Sequence, residues 1–245
     1  MNIKKISIAL TSLLTVAFIT SCDSNINQIP LNDTVDINST RNNPQDLIKK
    51  FGEAYSKIND FTGIVTIMDS KTGNPADAVT GDSKFYFKKE RNERVEITKS
   101  DDPQKNGTTI AYRGADKVQV LLAKPIPILG KKFTLSVTDK RVGTSRGLAF
   151  NQLDLTAMLN RFNKAGVKLD LVQRTTKNGR NVAIISGKGT FKDLDNEVTE
   201  EILTLDTDSM LPVEDNVMVK DKVVLKISLK DLKLDVGLKD DLFSL

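Results

Sequence analysis

The chain contains no histidine and no tryptophan, and it has one cysteine, Cys22. Without histidine there is no His-based triad, no imidazole general base and no His-ligated zinc. A lone cysteine offers no thiolate cluster and no disulfide within the chain, so the fold must be held by packing alone. Aromatics are sparse, at ten Phe and three Tyr, and the charge is nearly balanced at 36 basic against 32 acidic residues. Two of those basic residues, Lys4 and Lys5, lie at the extreme N-terminus; the remaining 34 against 32 do not make a nucleic-acid surface. No Gly-rich phosphate loop, nucleophile elbow or 20–50-residue repeat is present. Long apolar runs are missing too. The best of them, Ile6 to Ile19, is 14 residues, short of the roughly 20 that a membrane span needs.

That run nevertheless has a recognisable setting. Lys4 and Lys5 precede it, small residues follow it, and Cys22 closes it, which is the form of a secretory signal. The quartet Ile19-Thr20-Ser21-Cys22 resembles the lipobox of bacterial lipoproteins. The resemblance implies cleavage before Cys22 and acylation of that residue, giving a domain tethered to a membrane. One acyl chain holds a protein only marginally, and two or more hold it stably. Residues 1–21 are then a signal peptide, and 22–43 the acylated cysteine and a flexible tether rich in Asn, Asp, Ser and Thr. Residues 44–245 remain as one domain with enough chain for a substantial core. Asp23 resembles the inner-membrane retention signal of some Gram-negative lipoproteins, but the pattern alone does not decide between the inner and outer membrane.

Within 44–245 the first element is a helix from Pro44 to about Ile58. Asn43 suits the N-cap and Pro44 the first turn, and Leu47, Ile48, Phe51, Ala54, Tyr55 and Ile58 form one apolar face. A second helix is expected over Gln152–Lys164, capped by Asn151 and stopped by Gly166, with Leu155, Met158, Leu159 and Phe162 inward. Nearly everything else alternates as strand, broken by turn chemistry at Asp101-Asp102-Pro103, Arg113-Gly114-Ala115-Asp116 and Asn178-Gly179. In Lys222–Leu234 the apolar parity shifts after Leu229, which predicts a bulge near Lys230-Asp231. Ala123–Gly130, with Pro125 and Pro127, is expected to be a loop. Its Ile126, Ile128 and Leu129 either fold back over the core or form an apolar lip for a ligand or membrane.

About eleven strands and two or more helices imply an α+β, mainly β domain. Its expected form is one strongly curved antiparallel sheet, an unclosed half-barrel, with helices over one side. The expected concave lining is Phe85, Phe87, Val95, Ile97, Val118, Val120, Phe133, Leu135, Leu225 and Ile227. Periodicity does not distinguish a packed core there from a hollow able to take an acyl chain.

The order of motifs adds a resemblance. The first helix leads into Asn59-Asp60-Phe61-Thr62-Gly63. Gly81, Lys84-Phe85-Tyr86-Phe87-Lys88-Lys89 and Arg94-Val95-Glu96 come next. Leu211-Pro212, Ile227–Leu234 and Asp241-Leu242-Phe243 close the chain. Together these are similar to the lipoprotein-localisation (LolA/LolB-like) superfamily, which includes outer-membrane lipoprotein-sorting proteins. The resemblance implies an unclosed barrel with a helical lid, and the binding of lipid or of lipoprotein acyl chains. Two features depart from it. The soluble carrier of that family is not acylated, and Glu90-Arg91-Asn92-Glu93 stands where the family often has a proline before the arginine.

The acidic pairs Asp101/Asp102, Asp193/Asp195, Glu200/Glu201 and Asp240/Asp241 sit in turns, at the terminus or on alternating strand faces, where general acid–base pairs do not face one another. Asp193, Asp195 and Glu197 lack the glycine and spacing of a calcium loop. The expectation is therefore a non-enzyme without metal or other cofactor. It would be an envelope lipoprotein, anchored to the inner or outer membrane with its domain facing the periplasm or exterior, binding lipid or acyl chains for transport or sorting. The alternative is a sensor or structural lipoprotein whose filled fold binds an envelope protein.

Overall fold

The computed structural model divides the chain into two units, Met1–Asp36 and Ile37–Leu245, and describes residues 43–126 and 130–245. The signal, lipobox and nearly all of the tether lie outside the described residues, as do Ile128 and Leu129. None of the described helices is long and apolar enough to cross a membrane.

Helix α1 (Pro44–Lys57) begins as its sequence dictates: the Asn43 side chain accepts a hydrogen bond from the Gln45 amide at 3.0 Å, with Pro44 in the first turn. The strands are β1 (Asp60–Asp69), β2 (Val79–Lys88), β3 (Asn92–Ser100), β4 (Thr109–Arg113), β5 (Lys117–Ile126), β6 (Gly130–Ser136), β7 (Lys168–Lys177), β8 (Arg180–Lys188), β9 (Glu200–Asp206), β10 (Pro212–Val219) and β11 (Lys222–Leu234). They form a single antiparallel sheet in the order β6-β5-β4-β3-β2-β1-β11-β10-β9-β8-β7. Two meanders are thus joined at the centre by β1 against β11. The sheet does not close, because β6 and β7 are its two opposite edges.

That topology has one large consequence. The chain leaves β6 at one edge and must enter β7 at the other, so residues 137–167 cross from one side of the sheet to the other. This crossing contains a 3-10 turn at Phe150–Gln152 and helix α2 (Leu155–Phe162). The helix is shorter than its apolar spacing suggested, and its cap is Asp154 rather than Asn151. The Gln152 side chain turns back to accept from the Ala149 amide at 2.5 Å, which completes the 3-10 turn. Asp154 then caps α2 by accepting from Ala157 at 2.6 Å.

The expected loop at Ala123–Gly130 is also revised. Extended structure continues to Ile126 and resumes at Gly130, with irregular register between Leu121 and Ile126. Pro125 is tolerated because β4 ends opposite Leu121, leaving that end of β5 without a partner on its β4 side.

The parity shift in β11 is resolved as the expected bulge. Thr62 faces Lys233 while Ile64 faces Lys230, and Asp231 adopts φ +53°. Leu232 is thereby turned onto the inner face beside Gly63. A Cβ at position 63 would lie 2.9 Å from both a Leu232 methyl and the Lys230 carbonyl. Gly63→Ala is expected to destabilise the domain by about 1–3 kcal/mol through this overpacking, seen as a lower urea midpoint with an unchanged slope.

Candidate functional site

Residues directly opposite in an antiparallel ladder project to the same face, so the register alone shows what lines the inner side. Phe87 pairs with Glu93, Phe85 with Val95 and Ser83 with Ile97. Glu93 and Val95 pair with Tyr112 and Ile110, and these in turn with Val118 and Val120. Val118 and Val120 face Leu135 and Phe133. Across the centre, Ile67 faces Ile227, and Leu225 shares its parity. All ten residues expected to line the hollow therefore share one sheet face.

They do not share one cluster. Phe87 belongs to a core built by α1 and α2, where Phe61 and Phe87 stack with centroids 4.9 Å apart. Leu225 and Ile227 pack with Phe191, Leu194 and Val198 from the β8–β9 connection and with Leu148 of the crossing. Val118 and Val120, with Leu135 against them, pack on Phe150, Val142 and Val137. Only Phe85, Val95 and Ile227 of the ten reach the residual cavity. Its other walls are Val65, Ile67 and Leu229 of the sheet and Phe150, Leu153, Leu155 and Met158 of the crossing. The cavity measures about 70 Å³, well below the roughly 300–1,000 Å³ of typical ligand pockets.

Two acids lie in this apolar wall, Glu93 and Asp154. Asp154 is bound by Arg91, whose Nε donates to it at 2.8 Å and whose Nη2 also bonds to it and, at 2.8 Å, to the Asn151 carbonyl. Arg91 reaches inward from the three-residue turn Lys89–Arg91, in which both Glu90 and Arg91 have positive φ, +67° and +60°. Such a turn ordinarily uses Asn and Gly; here a strained backbone aims a guanidinium at the cap of α2. Glu93 is buried with its Oε1 unpartnered. Burial, then the nearby Asp154 carboxylate, push its pKa well above the usual range against the opposing pull of Arg91.

A second charged group lies beneath α2. Arg161 donates from Nε to both Glu201 oxygens at 3.0 and 2.8 Å and from Nη2 at 2.5 Å, while Nη1 donates to the Gln152 carbonyl at 2.7 Å. Asp215 is 3.8 Å from Nη2, beyond hydrogen-bond reach, so its buried carboxyl has no cationic partner and shares a hydrogen bond with Glu201 instead. One cation cannot neutralise two carboxylates in this interior. Burial and the Glu201 charge raise the Asp215 pKa well above its normal value, which makes it the neutral member.

The outer margins of the crossing are tied down by polar contacts. Arg146 donates to the Lys71 carbonyl at 2.6 Å, to Glu197 at 2.7 Å and to Asp195. Lys164 bonds to Asp193 at 2.8 Å, Ser145 binds Asp69, and Tyr55 of α1 meets Thr156 of α2 at 2.9 Å. Burial holds the Tyr55 hydroxyl up at about 12, although the bond to Thr156 lowers it. The acids that sequence offered are thus structural: Asp193, Asp195 and Glu197 hold basic side chains, Glu200 faces Ser186 and Lys188, and Asp240 binds Lys88. Among the described residues no cluster of acids could hold a metal ion. Sequence reasoning missed Glu93, Arg161 and Asp215; the detectable signal was a charged residue at an inward strand or helix position.

No protein-family model matches the chain, and no curated protein does. Solved structures do match in fold. An uncharacterised conserved protein of Thermus thermophilus aligns at TM-score 0.52 with 11% identity, covering 82% of this chain and 92% of that one. The lipoprotein LppX of Mycobacterium tuberculosis aligns at 0.49 with 14% identity over 80% and 99% of the two chains. A LolA superfamily protein of Nitrosomonas europaea aligns at 0.40 with 13% identity over 82% and 97%. The unclosed, helix-covered antiparallel sheet implied by the motif order is the fold observed, and a structure described as of the LolA superfamily is among its matches.

The neutral Asp215 carboxyl makes stability depend on pH. The native state retains a proton that the unfolded chain releases, so stability falls as pH rises above the unfolded aspartate value of about 3.9 until the folded value is passed. Asp215→Asn is expected to raise stability at pH 7 by on the order of 1–3 kcal/mol and to flatten that dependence. Arg161→Met leaves Glu201 buried and unpaired and is expected to lose about 3–5 kcal/mol. Urea titrations between pH 4 and 8 check both.

Proposed function

We propose that the protein is a lipid-anchored envelope protein that takes an acyl chain between the inner face of its sheet and the 137–167 crossing. The observation that carries this reading is the apolar cavity under α2. Its cover is apolar toward the sheet and fastened at its margins by Arg91, Arg146 and Lys164. At about 70 Å³ the cavity admits no acyl chain as it stands, so cargo entry requires the crossing to lift. Of these fastenings Lys164–Asp193 is exposed and contributes only about 0–1 kcal/mol, whereas Arg91–Asp154 and Arg146–Asp195 are largely buried and cost more to break. The same small volume favours a second reading, an anchored adaptor with a filled core that binds an envelope protein.

The full chain, stripped of lipid, is expected to take up a pyrene-labelled fatty acyl probe and to show bound acyl lipid by native mass spectrometry. Arg146→Ala is expected to speed probe uptake several-fold as it loosens the cover. No uptake by either protein, with both folded, leaves the adaptor reading. Anchoring is tested apart from cargo: Cys22→Ser is expected to move the protein from the membrane fraction to the soluble fraction.

A further inference from the structure

The cavity wall contains a carboxyl that the fold does not use. Glu93 lies between Phe87 and Tyr112 across the ladder, is 2% exposed, and keeps Oε1 without a partner. A buried polar atom left unsatisfied costs about 1–3 kcal/mol, and a leucine at this inward strand position would avoid that. Its charged neighbours are already engaged. Asp154 accepts from Arg91 and from the Ala157 amide, and Arg91 is divided between Asp154 and the Asn151 carbonyl while lying 5.8 Å over the Tyr112 ring. An incoming carboxylate would meet the Asp154 charge in a water-poor, apolar wall, and an incoming cation would meet Arg91. A neutral carbonyl oxygen meets neither objection and supplies the acceptor that a carboxyl O–H lacks here.

We propose that Glu93 is the specificity-determining residue of this cavity, donating a hydrogen bond to the ester or amide carbonyl of an uncharged acyl ligand and so selecting it over a free fatty-acid anion. This rests on the reading of the cavity as an acyl site. Burial and the adjacent Asp154 carboxylate keep the Glu93 carboxyl in the neutral form that can donate.

The test compares three pyrene probes on the full chain at neutral pH: a fatty acid, its methyl ester and the corresponding alkane. The methyl ester is more apolar than the acid, so the informative quantity is the ester-to-acid affinity ratio in each protein. Glu93→Leu is expected to reduce that ratio about tenfold, equivalent to roughly 1.4 kcal/mol, while leaving alkane affinity unchanged. Glu93→Gln, whose amide can still donate, is expected to retain most of the ratio and serves as the folded control. An unchanged ratio in Glu93→Leu, with the alkane still bound, overturns the role of Glu93 and leaves the acyl site standing. Failure of the wild-type protein to bind any of the three overturns the acyl site and this inference with it.

Discussion

The position of two strands decides most of this structure. Because β6 and β7 are the opposite edges of an eleven-stranded sheet, the connection between them has to traverse the sheet, and an apolar inner face offers the only favourable route. Burying that face is what stabilises the crossing, and the crossing is what keeps the face from water. Helices α1 and α2 share a core over β1–β2 and β8–β9, Phe150 of the 3-10 turn packs on β4 and β5, and the β8–β9 connection contributes Phe191, Leu194 and Val198. On the other side, among the described residues, the C-terminal segment lies across β3 and β4 and buries Phe243. It is held there by Asp60, which accepts from the amides of Val236, Gly237 and Leu238.

How much of this was legible in sequence follows from the range of each signal. Strand number, the inner face and the β11 bulge are local, two-residue periodicities, and a face assigned in one strand propagates through register to its neighbours. The Asn43 cap and the Asn178-Gly179 turn, with φ +52° and +76°, are likewise local. The Asp154 cap was missed because Asn151 and Asp154 are both good caps, and only the reach of Arg91 from another strand separates them. The strand at Lys124-Pro125-Ile126 was missed because proline excludes a central strand but not the unpartnered side of one. The cavity was beyond sequence altogether. Ten residues on one face is a statement about parity, whereas three packed clusters with a small gap is a statement about which loop fills which part.

Hollow and filled are therefore not properties of the sheet but of its cover. The sheet's own contacts are continuous hydrogen-bonded ladders, whereas the cover meets it through apolar packing and side-chain ties at its rim. Arg146 gathers three of those ties into one side chain, and Arg91 fastens the start of α2 from a backbone turn that is itself strained.

Two buried carboxyls, Glu93 with its Oε1 unpartnered and Asp215 beyond hydrogen-bond reach of Arg161, both project from the sheet toward this same cover. Against a total folding stability of about 5–15 kcal/mol, one unsatisfied group at roughly 1–3 kcal/mol and one acid buried beside another are a substantial fraction. Neither strengthens the ladders that carry them, since their backbone groups pair regardless of side chain. Their cost arises where the cover excludes water from them. An apolar side chain at either position would avoid that cost, so packing stability alone does not account for them.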